Sequence, residues 1–181
     1  MYSKKQLQQI SQGYVEAKTK LNEIFISIAS LQLNLSKNAE EHLRYGIGRR
    51  LAIIRECFNS IFKIIPPDIN SESTQQIHRK ANIHLHAFLI NVCGIIDNMA
   101  WLWAHFLQLE QKIDLEKKKY EIGLFHEKFK KYLPQSLKDK VCEYSKWYEF
   151  IIKQRHPTAH RIPPYIIPYT VPSKEKINQK D

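Results

Sequence analysis

A chain of 181 residues with only five glycines and a net charge of +10 can bury a core as one domain, and is too poor in glycine for a sheet protein built on frequent tight turns. The three cysteines, Cys57, Cys93 and Cys142, are odd in number and lie in apolar periodic segments, which argues against a disulfide framework and for reduced core residues. The first residues, MYSKKQLQQI, hold no apolar leader stretch, so a cytoplasmic location is expected.

Apolar positions Leu7, Ile10, Tyr14, Ala17, Leu21, Ile24, Ile28, Leu31 and Leu35 step by three and four, the period of one helix face, and predict a long first helix. Ser36 is placed to cap a second helix, with Glu40 and Glu41 in its first turns. The stripe Leu43, Ile47, Leu51, Ile54, Phe58, Ile61 and Ile65 runs along it until Pro66-Pro67 ends it. After the polar loop DINSEST a third stripe runs from Ile77 to Leu109. A further set on this helix, Ala87, Ile90, Gly94, Asp97, Trp101 and Ala104, predicts contact on more than one side. The segment from Ile83 to Leu109 is long enough to span a membrane. It carries Asp97, Asn91, Asn98 and three histidines, which favours a buried central helix and no membrane partner.

Beyond the linker QKIDLEKKK, a short helix is expected near Leu124 to Leu133. A last amphipathic helix follows, with Leu137, Val141, Tyr144, Tyr148 and Ile151, broken by Pro157. Four prolines between Ile162 and Pro172 favour an extended strap. The expected architecture is all-α: a helical bundle of about four long helices plus a short one, with a proline-rich C-terminal strap, in one domain over 1–172 and a disordered tail over 173–181.

The positive charge is concentrated in 1–65, 111–140 and 153–181, while 66–110 and 141–152 are slightly acidic, a distribution that favours a polyanionic partner. The densest cluster of chemistry is Arg155-His156-Pro157-Thr158-Ala159-His160-Arg161, with two guanidiniums and two imidazoles. A histidine can take the proton of a ribose 2′-hydroxyl while a guanidinium holds the charge that develops on phosphate, so this set can cleave RNA without metal or cofactor. His156 is placed as a second acid or base, or as packing beside the proline. Arg161 either grips a phosphate or solvates the turn.

The spacing Arg155-x4-His160 at the end of the final helix of a basic all-α chain resembles the R-x4-6-H signature of HEPN domains. The phrases GIIDNMAWLWAHF and RHPTAHRIPPYIIP also look like segments of uncharacterised bacterial proteins of that kind. Arg79 with His84 or His86 fits the same spacing, but without the helix end and the converging polar groups. The resemblance implies a helical bundle, often a homodimer, in which the motifs of two chains meet. It further implies metal-independent cleavage of RNA by Arg155 and His160, in a toxin–antitoxin or antiphage setting with an antitoxin or other partner protein. The alternative is a non-catalytic helical module that binds RNA or a protein, or serves dimerisation.

Asp97 falls on the side of the third helix that small residues open to close packing, where a buried carboxylate needs a partner. Arg155 or Arg161 would make it orient the motif, whereas Arg50 or Arg55 of the second helix would make a structural ion pair. His84 and His86, two apart on a helix, point to different sides and do not form a metal pair, and no metal site is expected. Trp101, Trp103 and Trp147 read as core residues, with stacking on an RNA base as the alternative.

Overall fold

The structure is a computed structural model that describes residues 2–30, 34–69, 73–160 and 162–166, with backbone alone for Ala159 and His160. Among these residues there is no strand, and the chain is all-α. Helix α1 spans Lys4–Ser30. Helix α2, Lys37–Glu41, starts as the sequence predicts: the Ser36 side chain accepts a hydrogen bond from the Ala39 amide at 3.3 Å.

The second predicted helix is not uniform. Residues His42–Gly48 form a π-helix before the α-helical pattern resumes in α3, Arg49–Ile64. A π segment widens the turn by one residue and is found mostly at functional sites. Here Leu43 and Ile47 on its inner face, with Leu51 of α3, are buried against Leu21, Phe25 and Ile28 of α1 and against Ile95, Met99 and Leu102 of the next long helix. Helix α1 buries no residue completely. It is held through its half-exposed stripe: the Tyr14 ring lies 5.1 Å from that of Phe58 and 4.5 Å from that of Phe62, and its hydroxyl donates to Asn59 Oδ1 at 2.9 Å.

Helix α4, Gln75–Phe106, is the element around which the others are arranged. Its start is capped by Thr74, and it touches α2, the π segment, α3 and the last helix. The expected contact on more than one side is present, but the helix is less buried than a central helix was expected to be. Ile83 is 66% and Ile90 43% exposed, because the neighbouring helices gather on its other sides. By length and composition α4 could also cross a membrane, the same test that a core helix passes.

The short helix expected near Leu124 to Leu133 shrinks to α5, Glu127–Lys130, preceded by turns of 3₁₀-helix at Leu109–Gln111 and Lys119–Glu121. The last predicted helix is two: α6, Gln135–Glu143, and α7, Ser145–His160, separated at Tyr144. Buried Leu109, Leu115, Leu124, Phe129, Leu133 and Val141 fold this half of the chain onto Ile96, Ala100 and Ala104 of α4. Alanines at the last two positions let the segment approach the α4 backbone closely.

Cys57 and Cys93 are buried, as expected, and burial pushes both thiols above their ordinary pKa. Cys142 is exposed and is not a core residue, because α6 turns only its Val141 side inward. Alkylation of the native chain is expected to modify Cys142 alone, and Cys57 and Cys93 only after unfolding. Mass mapping of the labelled peptides checks this, and native labelling of Cys93 would contradict it.

Candidate functional site

Helix α7 runs through Pro157 to His160 and is not broken there, contrary to expectation. Proline removes one backbone donor and leaves the Lys153 carbonyl without its helical partner. Only that one bond is lost, and the Thr158 hydroxyl donates to the neighbouring Gln154 carbonyl at 3.0 Å. The chain leaves the helix only afterwards. Residues 163–166 then lie in non-helical form along the first half of α4, where His86 Nε2 donates to the Pro164 carbonyl at 2.8 Å and the Ile166 amide donates to Asn82 Oδ1 at 2.8 Å. The rest of the expected strap, 167–172, the tail 173–181 and Arg161 lie outside the described residues.

Tyr148, Ile151 and Arg155 recur at helical spacing on α7, with Ile151 buried and the other two half-buried. They form the stripe of a helix that contacts α4. Arg155 acts electrostatically on both Cys93 and Asp97 of α4, which lie one turn apart. Tyr148 feels Asp97, Cys93 and Arg155, and its ring is stacked at 3.9 Å on Phe125. A thiol, a phenol, a carboxylate and a guanidinium are thus drawn together at the α4–α7 seam.

Asp97 is more exposed than the sequence suggested, yet one side of it is crowded. Loss of hydration on that side raises its pKa, while the fields of Arg155 and, more weakly, Arg50 pull it down without prevailing. Among the described residues no cation comes within ion-pair distance of the carboxylate. Asp97 is therefore neighboured by one arginine from each of the two expected pairs, Arg155 and Arg50, and ion-paired to neither. Arg55 is elsewhere, its guanidinium 4.8 Å above the Phe25 ring.

Arg50 reaches the same region from α3. Its Nη1 donates to Asn91 Oδ1 at 3.1 Å, and Asn91 is held by its own bond to the Ala87 carbonyl. The guanidinium lies flat over Gly94, where any Cβ would overlap it. The sequence reading had taken Gly94 as a contact point for a helix backbone. The group that uses the space is a charged side chain: Arg50, named from the sequence as an ion-pair candidate for Asp97, binds Asn91 instead, a residue the sequence did not single out as its partner.

His156 is exposed, and Trp147, expected in the core, is 45% exposed on α7. The Cα of His160 follows that of Arg155 by five residues, a rotation of about 140° on an ideal helix. One chain therefore does not set both groups on a single face. Among the described residues no group of three histidine, cysteine or acidic side chains is arranged to hold a metal ion.

The raised pKa of Asp97 has a consequence for stability. The folded chain holds this proton more tightly than the unfolded one, so stability falls as pH rises from the unfolded value, about 3.9, through the folded value, and stays lowered above it. Asp97→Asn removes the charge and is expected to raise Tm at pH 7 by roughly 1–2 °C, a small effect because much of the carboxylate reaches water. The gain should vanish toward pH 3. Melting curves at the two pH values check the sign, and a lower Tm at pH 7 would show that attraction to the arginines outweighs lost hydration.

Compared with protein-family models, with curated proteins and with solved structures, the chain matches none.

Proposed function

We propose that this chain is a metal-independent endoribonuclease of the HEPN type, whose long helices form that family's bundle and whose reacting groups are Arg155 and His160. The observation that carries the reading is the position of Arg155: it is half-buried at the seam between α4 and α7, under the field of Asp97, five residues before the histidine that ends the helix. The net charge of +10 suits a polyanionic substrate. Arg50, whose field also reaches Asp97, supplies a second cation.

In the reaction, His160 takes the proton of a ribose 2′-hydroxyl. The freed oxygen attacks the adjacent phosphorus, the bond from phosphorus to the 5′-oxygen breaks, and the leaving oxygen regains a proton from the imidazolium. Arg155 stabilises the negative charge on the phosphorane-like transition state. A cyclic 2′,3′-phosphate remains, and DNA, which lacks the attacking hydroxyl, is spared. The rotation between positions 155 and 160 favours a two-fold homodimer that joins Arg155 of one chain with His160 of the other. His156 and Arg161 flank the cleavage site as accessory groups. Such an activity, free in the cytoplasm, calls for control by an antitoxin or a defence trigger.

Tyr144, Trp147 and Phe150 form an exposed aromatic row on α6–α7, 51%, 45% and 57% exposed. This row favours the second reading, a non-catalytic module that binds a protein or dimerises, since apolar surface of this kind is what interfaces use.

Incubating the purified chain with a mixed RNA pool in excess chelator, then analysing product ends, separates the two. The expected result is cleavage with cyclic phosphate ends on RNA and none on DNA of the same sequence. Intact RNA after prolonged incubation with the folded dimer would overturn the ribonuclease reading and favour the module.

A further inference from the structure

The second half of α4 and the start of the π segment build another site, away from Arg155. Asn98 Nδ2 donates to the Gly94 carbonyl at 2.7 Å, which fixes its amide so that Oδ1 faces His42 Nδ1 at 3.0 Å. The Nδ1 of His42 therefore carries a hydrogen and donates it to the amide oxygen. Gly46, within the π segment, makes room for this: a side chain there would overlap the Asn98 amide. The His42, Trp101 and His105 rings lie 5.5–5.9 Å apart between centroids, near parallel.

Beyond α4 the chain reverses at Gln108, which takes the left-handed conformation (φ 52°) that a side chain rarely adopts. The reversal brings Glu110 Oε1 to 3.7 Å from His105 Nδ1. The His105 side chain is only 10% exposed, and this nitrogen is buried without a hydrogen-bond partner. Between the ring stack and residues 110–116 lies a cleft of about 900 Å³.

The charge of the cleft is opposite to that of the molecule. Glu110, Asp114 and Glu116 line it against Lys112 alone, in a chain of net charge +10. Lys117 occupies Asp114 at 3.0 Å, while Glu110 and Glu116 have no lysine or arginine partner among the described residues. Phosphate is repelled here, whereas a cation is drawn both to the carboxylates and to the electron-rich face of Trp101. We propose that this cleft binds a small flat organic cation, an amidinium, guanidinium or protonated heteroaromatic amine. Its ring would lie against Trp101 and the histidines and its charge against Glu110. This proposal is independent of the ribonuclease reading, since it requires neither RNA nor Arg155.

The test uses two probes of one shape and opposite charge, benzamidinium and benzoate, titrated into the full chain at constant ionic strength. Binding is followed by tryptophan fluorescence and by heat. Saturable binding of benzamidinium is expected, with benzoate at least about tenfold weaker. Glu110→Gln should weaken benzamidinium by about tenfold, and Glu116→Gln, at an exposed position, by less, while Arg155→Ala leaves it unchanged. Equal binding of both probes, absence of saturation by ~10 mM, or unchanged affinity in Glu110→Gln and Glu116→Gln chains that melt like the native one would each overturn the proposal.

Discussion

Arg155→Ala and His160→Ala are each expected to lower metal-free RNA cleavage by about 10²–10⁴-fold, the range found when a general base or a group stabilising transition-state charge is removed. The double variant should be little worse than either single one, because the two act in a single step. The proposed dimer makes a sharper expectation. If each site joins Arg155 of one chain to His160 of the other, a heterodimer of the two single variants contains one site with both groups and one with neither. Mixing the two inactive chains after brief unfolding should then restore a measurable share of the activity. If both groups came from the same chain, mixing would restore nothing. Circular dichroism of each variant separates loss of chemistry from loss of fold.

The largest effect on stability is expected at Phe129. Its side chain is 2% exposed and lies on the short α5, in the core that ties residues 109–141 to the second half of α4. The surrounding Leu109, Leu133 and Val141 cannot collapse onto the gap without moving three separate turns. Phe129→Ala is therefore expected to cost about 3–5 kcal/mol, the usual loss for a buried aromatic. In a chain of this length that lowers Tm by roughly 6–20 °C. Urea unfolding measures it directly, and a loss under about 1 kcal/mol would mean that the segment is not held through this residue.

The all-α class and the positions of α1, α3 and α4 were legible in the sequence because their apolar stripes are long and regular, and because Ser36 and the Pro66-Pro67 pair mark real ends. The π segment was not. Leu43, Ile47 and Leu51 are four apart, a spacing that an α-helix and a wider turn both satisfy, so the pattern conceals the extra residue. The split at Tyr144 was hidden for a related reason: Val141, Tyr144 and Tyr148 keep helical spacing across the break. At the seam, the closeness of Asp97 to arginines was legible as a carboxylate's need for cations nearby, though no ion pair forms among the described residues. Which arginine would answer depended on how α3 and α7 approach α4, and both do. The reading of Pro157 as a helix breaker gave too much weight to one lost hydrogen bond, where the flanking turns hold the helix together.

The π segment also has a consequence for how this chain tolerates changes in length. Removing one residue between His42 and Gly48 would close the wide turn into an ordinary one, and because that turn already absorbs one extra residue, the part upstream would keep its phase relative to α3 to within about 30°. The inner face of α3, with Leu51, Ile54 and Cys57 against its neighbours, would stay in phase. The widened turn is thus slack in one rod: a deletion there is taken up with the faces on either side kept in place, whereas the same deletion inside α3 would turn the upstream half by about 100°.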